Sequence, residues 1–194
     1  MNAPTPISSL LHSSTMVIAG VYLGIILQDI IILLNNLYFT PLLLHSLYFL
    51  IPVLTLITSV LKAVIISDIK SIIALSTISQ ISYMFIAILI NPLLCIFHII
   101  IHAIFKSCLF ILAGSIIHYT LNYQSVYKIE INNKKVIILF ILSSFTLVLS
   151  ISKELIILSS IIELQLSIFF IFLSCGAVCT IPYIFKIIYF IIPF

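Results

Sequence analysis

Apolar residues run along this chain in six blocks, each bounded by proline, asparagine or a small group of charges. The blocks cover about 5–27, 41–66, 71–90, 93–117, 136–162 and 164–192. A stretch of about 20 apolar residues is the length that crosses a bilayer core as a helix. The pattern therefore predicts an all-α, polytopic transmembrane bundle of about six spans forming a single transmembrane domain. The first block opens Ala3-Pro4-Thr5-Pro6, and proline is tolerated in a helix's first turn. His12 enters that block early, and residues 28–40, with Asp29, Asn35 and Asn36, read as a loop. Pro41 starts the second block, which holds His45 near its mouth, a kink at Pro52 and Lys62 near its end. Ser67-Asp68-Ile69-Lys70 is a tight connection into the third block.

That third block is unusually rich in small polar groups: Ser71, Ser76, Thr77, Ser79, Gln80, Ser82 and Tyr83. Gln80 shares a helical face with Ser76 and Tyr83. Such groups need partners in lipid, so this helix is expected to be buried among others. Asn91-Pro92 marks a short turn, after which the fourth block places His98, His102 and Lys106 at a strict spacing of four. Residues four apart lie nearly above one another on a helix. The three form one polar row, roughly 12 Å long at about 1.5 Å per residue. A lysine at the centre of such a span is unfavourable by roughly 2.5–3.5 kcal/mol on insertion scales, and such residues usually face a bundle interior or an ion path. The competing reading is a pair of hydrogen-bonded core histidines with a lysine snorkelling to the interface. Lys106 lies well inside the span, which makes snorkelling awkward.

Residues 119–135 form the one extended polar loop, with Lys128, Glu130, Lys134 and Lys135. The fifth block, 136–162, would be roughly 40 Å long as a helix, against a bilayer core of about 30 Å. Its interior holds Ser150, Ser152, Lys153 and Glu154, so a tilted or broken helix near Ser150–Lys153 is expected. Broken helices at membrane depth usually line a cavity. The sixth block is interrupted by Pro182 and carries Lys186 towards its end.

Composition confirms the class. The chain is 63% hydrophobic and 7% charged, where a soluble domain is about a quarter charged. A net charge of +3 is too small to suggest nucleic acid. Lysine is the only cationic residue besides histidine, and the abundance of Ile, Leu, Phe, Tyr, Asn and Lys is what AT-rich coding produces, a hint of an organelle genome. Cys95, Cys108, Cys175 and Cys179 form no CxxC pair and read as buried apolar thiols. No GxGxxG is present, so no nucleotide site is expected, and no bound cofactor or metal is implied. With six spans, Lys62, Lys70, Lys128, Lys134, Lys135 and Lys186 collect on one side, while Asp29 and Glu163 lie on the other. The basic side is expected to face the cytoplasm or matrix. Lys106 and Lys153 remain as the intramembrane cations.

Five stretches carry a resemblance. Ala3–Val17 (APTPISSLLHSSTMV), Asp68–Gln80 (DIKSIIALSTISQ), His98–His118, Ser152–Ile156 (SKELI) and Thr180–Phe190 (TIPYIFKIIYF) follow one another in the order found in the subunit 5 family of mitochondrial NADH dehydrogenase. These are antiporter-like proton-pumping subunits of respiratory complex I. The resemblance implies about fifteen helices in the whole family member, with two inverted repeats that each hold a broken helix and a buried lysine. It makes residues 5–27 the last helix of the first repeat and 41–192 the second repeat. It implies a proton half-channel coupled to quinone reduction, with Lys106 as its central proton-binding lysine. His98 and His102 become relay groups, Lys153 with Glu154 the broken-helix pair towards the exit, and His12 the link to the first half-channel. The chain would then be a separately encoded fragment in the mitochondrial inner membrane. Its expected partners are other membrane-arm subunits, a separate chain supplying the preceding helices, and membrane lipid such as cardiolipin. The chemistry suits the residues, because a desolvated lysine and a histidine both exchange protons near neutrality. The glycine- and proline-bearing approach to the broken-helix lysine is replaced here by Ser143–Ser152, and Lys186 stands at an arginine position. A subunit of a multisubunit cation/proton antiporter shares most of these motifs. An inactive scaffold within complex I would keep them too. A bis-histidine haem or metal protein would need ligands from a second facing helix beyond His98 and His102.

Overall fold

A computed structural model of the chain describes residue 7 and residues 15–37, 41–120, 123–129, 134–148, 151–164 and 167–191. Among these residues it is a bundle of seven helices: α1 Met16–Leu37, α2 Pro41–Ile65, α3 Ile69–Ile90, α4 Pro92–Tyr119, α5 Lys134–Val148, α6 Ile151–Leu164 and α7 Ser167–Ile191. The fifth block is described as two helical stretches, α5 and α6, and the break expected near Ser150 falls on residues 149–150, outside the described residues. Three helical segments, Ile69–Ile90, Pro92–Tyr119 and Leu173–Ile191, are long and apolar enough to cross a membrane.

The break between α3 and α4 shows how sequence sets an end. Asn91 precedes a proline, which disfavours helical backbone, and it is extended at φ −151° and ψ 107°. Its side chain then accepts from the Leu93 N–H at 3.0 Å, capping α4, while Pro92 occupies the first turn where its missing N–H does no harm. Two dipeptide positions thus end one helix and start the next.

Centrality falls to α3, which packs against α1, α2, α4, α6 and α7. Two thirds (67%) of its membrane-length window is buried, against 33% for α4, as its small polar side chains required. The helix is apolar at both ends and polar between. Ile69, Ile72 and Ile73 join one cluster with Leu109, Phe110 and Ile187, while Met84, Ala87 and Ile88 join another with Val21, Cys95 and Ile156. Ser76, Thr77, Ser79, Gln80 and Ser82 form the buried layer between them.

Several expectations change. Residues 28–37 continue α1 instead of forming a loop, since the run Ile30–Leu34 between Asp29 and Asn35 extends the helical pattern. Helix α7 passes through Pro182 without interruption, with that proline on its exposed side. Of the cysteines only Cys95 is buried; Cys108 and Cys175 are exposed on outward faces, where a small apolar thiol is tolerated by lipid. The segment after α4, expected as a polar loop, buries Val126 and Ile129 in the first cluster while Tyr123, Gln124, Tyr127 and Lys128 stay exposed. It folds back on the α2–α3 connection, with the Val126 N–H bonding the Ser67 carbonyl at 2.8 Å and the Ile69 N–H bonding the Gln124 carbonyl at 3.1 Å. Lys186 reaches the same end and donates to the carbonyls of Val64 (2.8 Å), in the last turn of α2, and Ile66 (2.9 Å), just past it. That is the end of a helix where a cation is favoured. The α2–α3 connection, the 123–129 segment and Lys186 therefore share one side of the bundle, as the lysine distribution required.

Candidate functional site: a buried lysine–histidine row

Helix α4 turns one polar row inward. His98, His102 and Lys106 are 1%, 0% and 1% exposed, so snorkelling to an interface is excluded for Lys106. Packing of α4 on α3 puts Lys106 against Ile73 and Ser76, and His98 against Gln80. The Lys106 Nζ donates to the Ile73 carbonyl at 3.3 Å and, closely, to the Ser76 hydroxyl. Ser76 is oriented to accept, because its own proton goes to the Ile73 carbonyl at 2.7 Å. Both lysine partners are neutral. An ammonium in such a place is held by polar groups alone, with no counter-charge to fix it permanently.

Above Lys106 on the helix stands His102, neither of whose ring nitrogens has a protein partner among the described residues. His98 comes next, its Nε2 at 3.2 Å from the Gln80 side-chain oxygen, which makes that nitrogen the proton-bearing one in this arrangement. The two imidazole centroids are 6.2 Å apart and tilted by 39°. That separation is too long for a direct hydrogen bond, so a proton crosses it only through a bridging water.

Lys153, on α6, is 2% exposed. Its Nζ stands 5.0 Å from the centroid of the Tyr83 ring and donates to the Thr180 hydroxyl of α7 at 3.4 Å. A cavity of about 30 Å³ adjoins Lys106, walled by Ser76, Gln80, Ser144, Thr180 and Tyr183 together with apolar residues. A polar cavity needs roughly 10–15 Å³ to admit one water, so this one has room. Thr180 therefore touches both lysine environments, one by a wall and one by a hydrogen bond.

The fold thus gathers His98, His102, Lys106 and Lys153 into one internal layer. Glu154, adjacent to Lys153, points to the exposed side of α6. His12 lies outside the described residues, and so does the side chain of His45. The residues that sequence reasoning did not single out are Thr180 and Tyr183. Their signal was present as two polar groups three apart on α7, one helical face, within an otherwise apolar run. Among the described residues no group of three or more His, Cys, Asp or Glu is placed together.

A family model described as NADH:quinone oxidoreductase/Mrp antiporter, TM, matches residues 1–180. NADH-ubiquinone oxidoreductase chain 5 of Mytilus edulis is 42% identical over 127 residues, 65% of this chain and 21% of the relative. NADH-quinone oxidoreductase subunit L of Buchnera aphidicola subsp. Schizaphis graminum is 37% identical over 200 residues, 97% of this chain and 31% of the relative. The chain therefore spans about a fifth to a third of the length of such relatives. A chain in the structure of the Mrp complex from Dietzia sp. DQ12-45-1b superposes with a TM-score of 0.68 at 21% identity, covering 75% of this chain and 29% of that one.

Proposed function

The chain belongs to the NADH:quinone oxidoreductase/Mrp antiporter transmembrane family, and from that premise we propose that it carries a proton half-channel of the membrane arm of an NADH:ubiquinone oxidoreductase. The observation that carries this reading is Lys106, buried to 1% exposure with only neutral hydrogen-bond partners and continued along one helix face by two buried histidines. A cation held this way can give up its proton when a neighbouring charge changes, and no covalent step is required.

In this reading Lys106 is loaded from the cavity beside Ser76 and Ser144. The proton passes through water to His102, and from there to His98, whose orientation Gln80 fixes. Lys153, buried in the same layer, then releases towards the exit. The redox chemistry that drives the cycle resides in other subunits. Relatives named as NADH oxidoreductase subunits favour this reading over a cation/proton antiporter; the Mrp likeness, at 21% identity, concerns the fold. Replacing Lys106 by Ala in the native membrane complex is expected to lower proton translocation per quinone reduced while assembly is retained. Unchanged translocation at normal assembly contradicts the role, and translocation that depends on sodium favours antiport.

The proposed location is the mitochondrial inner membrane, with the 123–129 segment and Lys186 on the matrix side. Protease access in sealed mitoplasts reads this: the segment should be protected, and cleavage from outside reverses the topology. Helix α1 exposes Met16, Tyr22, Leu23, Ile26 and Ile30 along its outer face. Further antiporter-like helices of the membrane arm are proposed to pack there, beside the region of His12. Peptide mapping of the purified complex shows whether a separate polypeptide supplies them, and a complex with nothing against α1 rules the contact out.

A further inference from the structure

The placement of Lys153 raises a physical problem that its burial alone does not solve. An ammonium at 2% exposure needs partners that replace water. Two groups from other helices meet it. The Tyr83 ring of α3 lies 5.0 Å from its Nζ, within the range in which a ring face attracts an ammonium. The Thr180 hydroxyl of α7 accepts its hydrogen bond at 3.4 Å.

Both groups are themselves fixed. The Tyr83 hydroxyl donates to the Leu173 carbonyl at 2.8 Å, tying the ring to α7. Thr180 spends its only proton on the Ala177 carbonyl at 2.6 Å, so towards Lys153 it acts as an acceptor. A π face and a committed acceptor interact well with an ammonium and poorly with a neutral amine. Gly176 completes the arrangement, since a Cβ there would overlap Leu56 and stand 3.1 Å from the Tyr83 hydroxyl. The same Thr180 forms part of the wall of the cavity beside Lys106.

We propose that Tyr83 and Thr180 are positioning residues that clamp protonated Lys153 between α3 and α7 and align it with the Lys106 cavity. The inference rests on the proton-translocation reading above and adds residues to it. The experiment compares four substitutions with Lys153→Ala in the native membrane complex, scoring translocation per quinone reduced by assembled complex. Thr180→Val removes the acceptor at constant shape and Thr180→Ser restores it. Tyr83→Leu removes the ring, and Tyr83→Phe keeps the ring while dropping the Leu173 bond. The expected result is that Val and Leu lose most of the translocation that Lys153→Ala removes, while Ser and Phe keep it. Where Thr180→Val fails to assemble, Thr180→Ala takes its place. Full translocation in the Val and Leu variants beside a deficient Lys153→Ala overturns the clamp. Equal losses in all four overturn it as well, because packing alone then explains them. A silent Lys153→Ala overturns the underlying reading instead.

Discussion

Lys106 and Lys153 are buried alike, at 1% and 2% exposure, but are held in different ways. Lys106 sits inside an unbroken helix of 28 residues, so its register with His102 and His98 comes from α4's own backbone. Its hydrogen bonds go to one neighbour, α3. Lys153 is held by two other helices, α3 through a ring and α7 through a hydroxyl. The difference teaches that one buried ammonium is held within a single helix pair and the other between three helices. The hydrogen bonds of Lys106 are therefore independent of α7, and that of Lys153 depends on it.

Overpacking at Gly176 breaks the comparison most strongly. Gly176→Val forces Leu56 and Tyr83 apart, and added volume in a packed site costs typically about 1–3 kcal/mol. Thermal unfolding of the complex should move down, with the Lys153 side of the path impaired; an unshifted transition contradicts the packing described. A smaller effect is expected from Gln80→Leu. It removes the bond that orients His98, worth roughly 0.5–1.5 kcal/mol for a neutral pair, and acts on the α4 row without touching the Thr180 contact. Translocation should fall several-fold with Gln80→Leu and recover with Gln80→Asn only in part, since the shorter side chain cannot reach as far. Equal activity of wild type and Gln80→Leu removes Gln80 from the path. The smallest effect belongs to Lys186→Met, which frees the carbonyls at the end of α2 and loses about 0.3–1 kcal/mol of helix-end stabilisation. Stability should drop slightly with translocation retained, and a large translocation loss assigns Lys186 a further role.

Much of the contrast was legible along the chain. Spacing of four placed His98, His102 and Lys106 on one face, because helix geometry alone determines that relation. Polar density in Ser71–Tyr83 foretold the burial of α3. Thr180 and Tyr83 as partners of Lys153 were not legible. They lie 27 and 70 positions away on other helices, and no periodicity connects them. The extension of α1 to Leu37 was missed because Asp29, Asn35 and Asn36 resemble turn residues locally, while the apolar run between them continues the helical pattern. The outward-facing Cys108 and Cys175 were missed because apolar character does not distinguish a core from a lipid-facing surface.

The central claim is that both lysines serve one path. It is tested most directly by measuring proton translocation per quinone reduced in the assembled complex for Lys106→Ala, Lys153→Ala and the double substitution. Groups acting in series are non-additive, so the double variant should be no worse than the more impaired single one. Losses that multiply in the double variant, or a single variant that translocates as well as wild type, contradict a shared path.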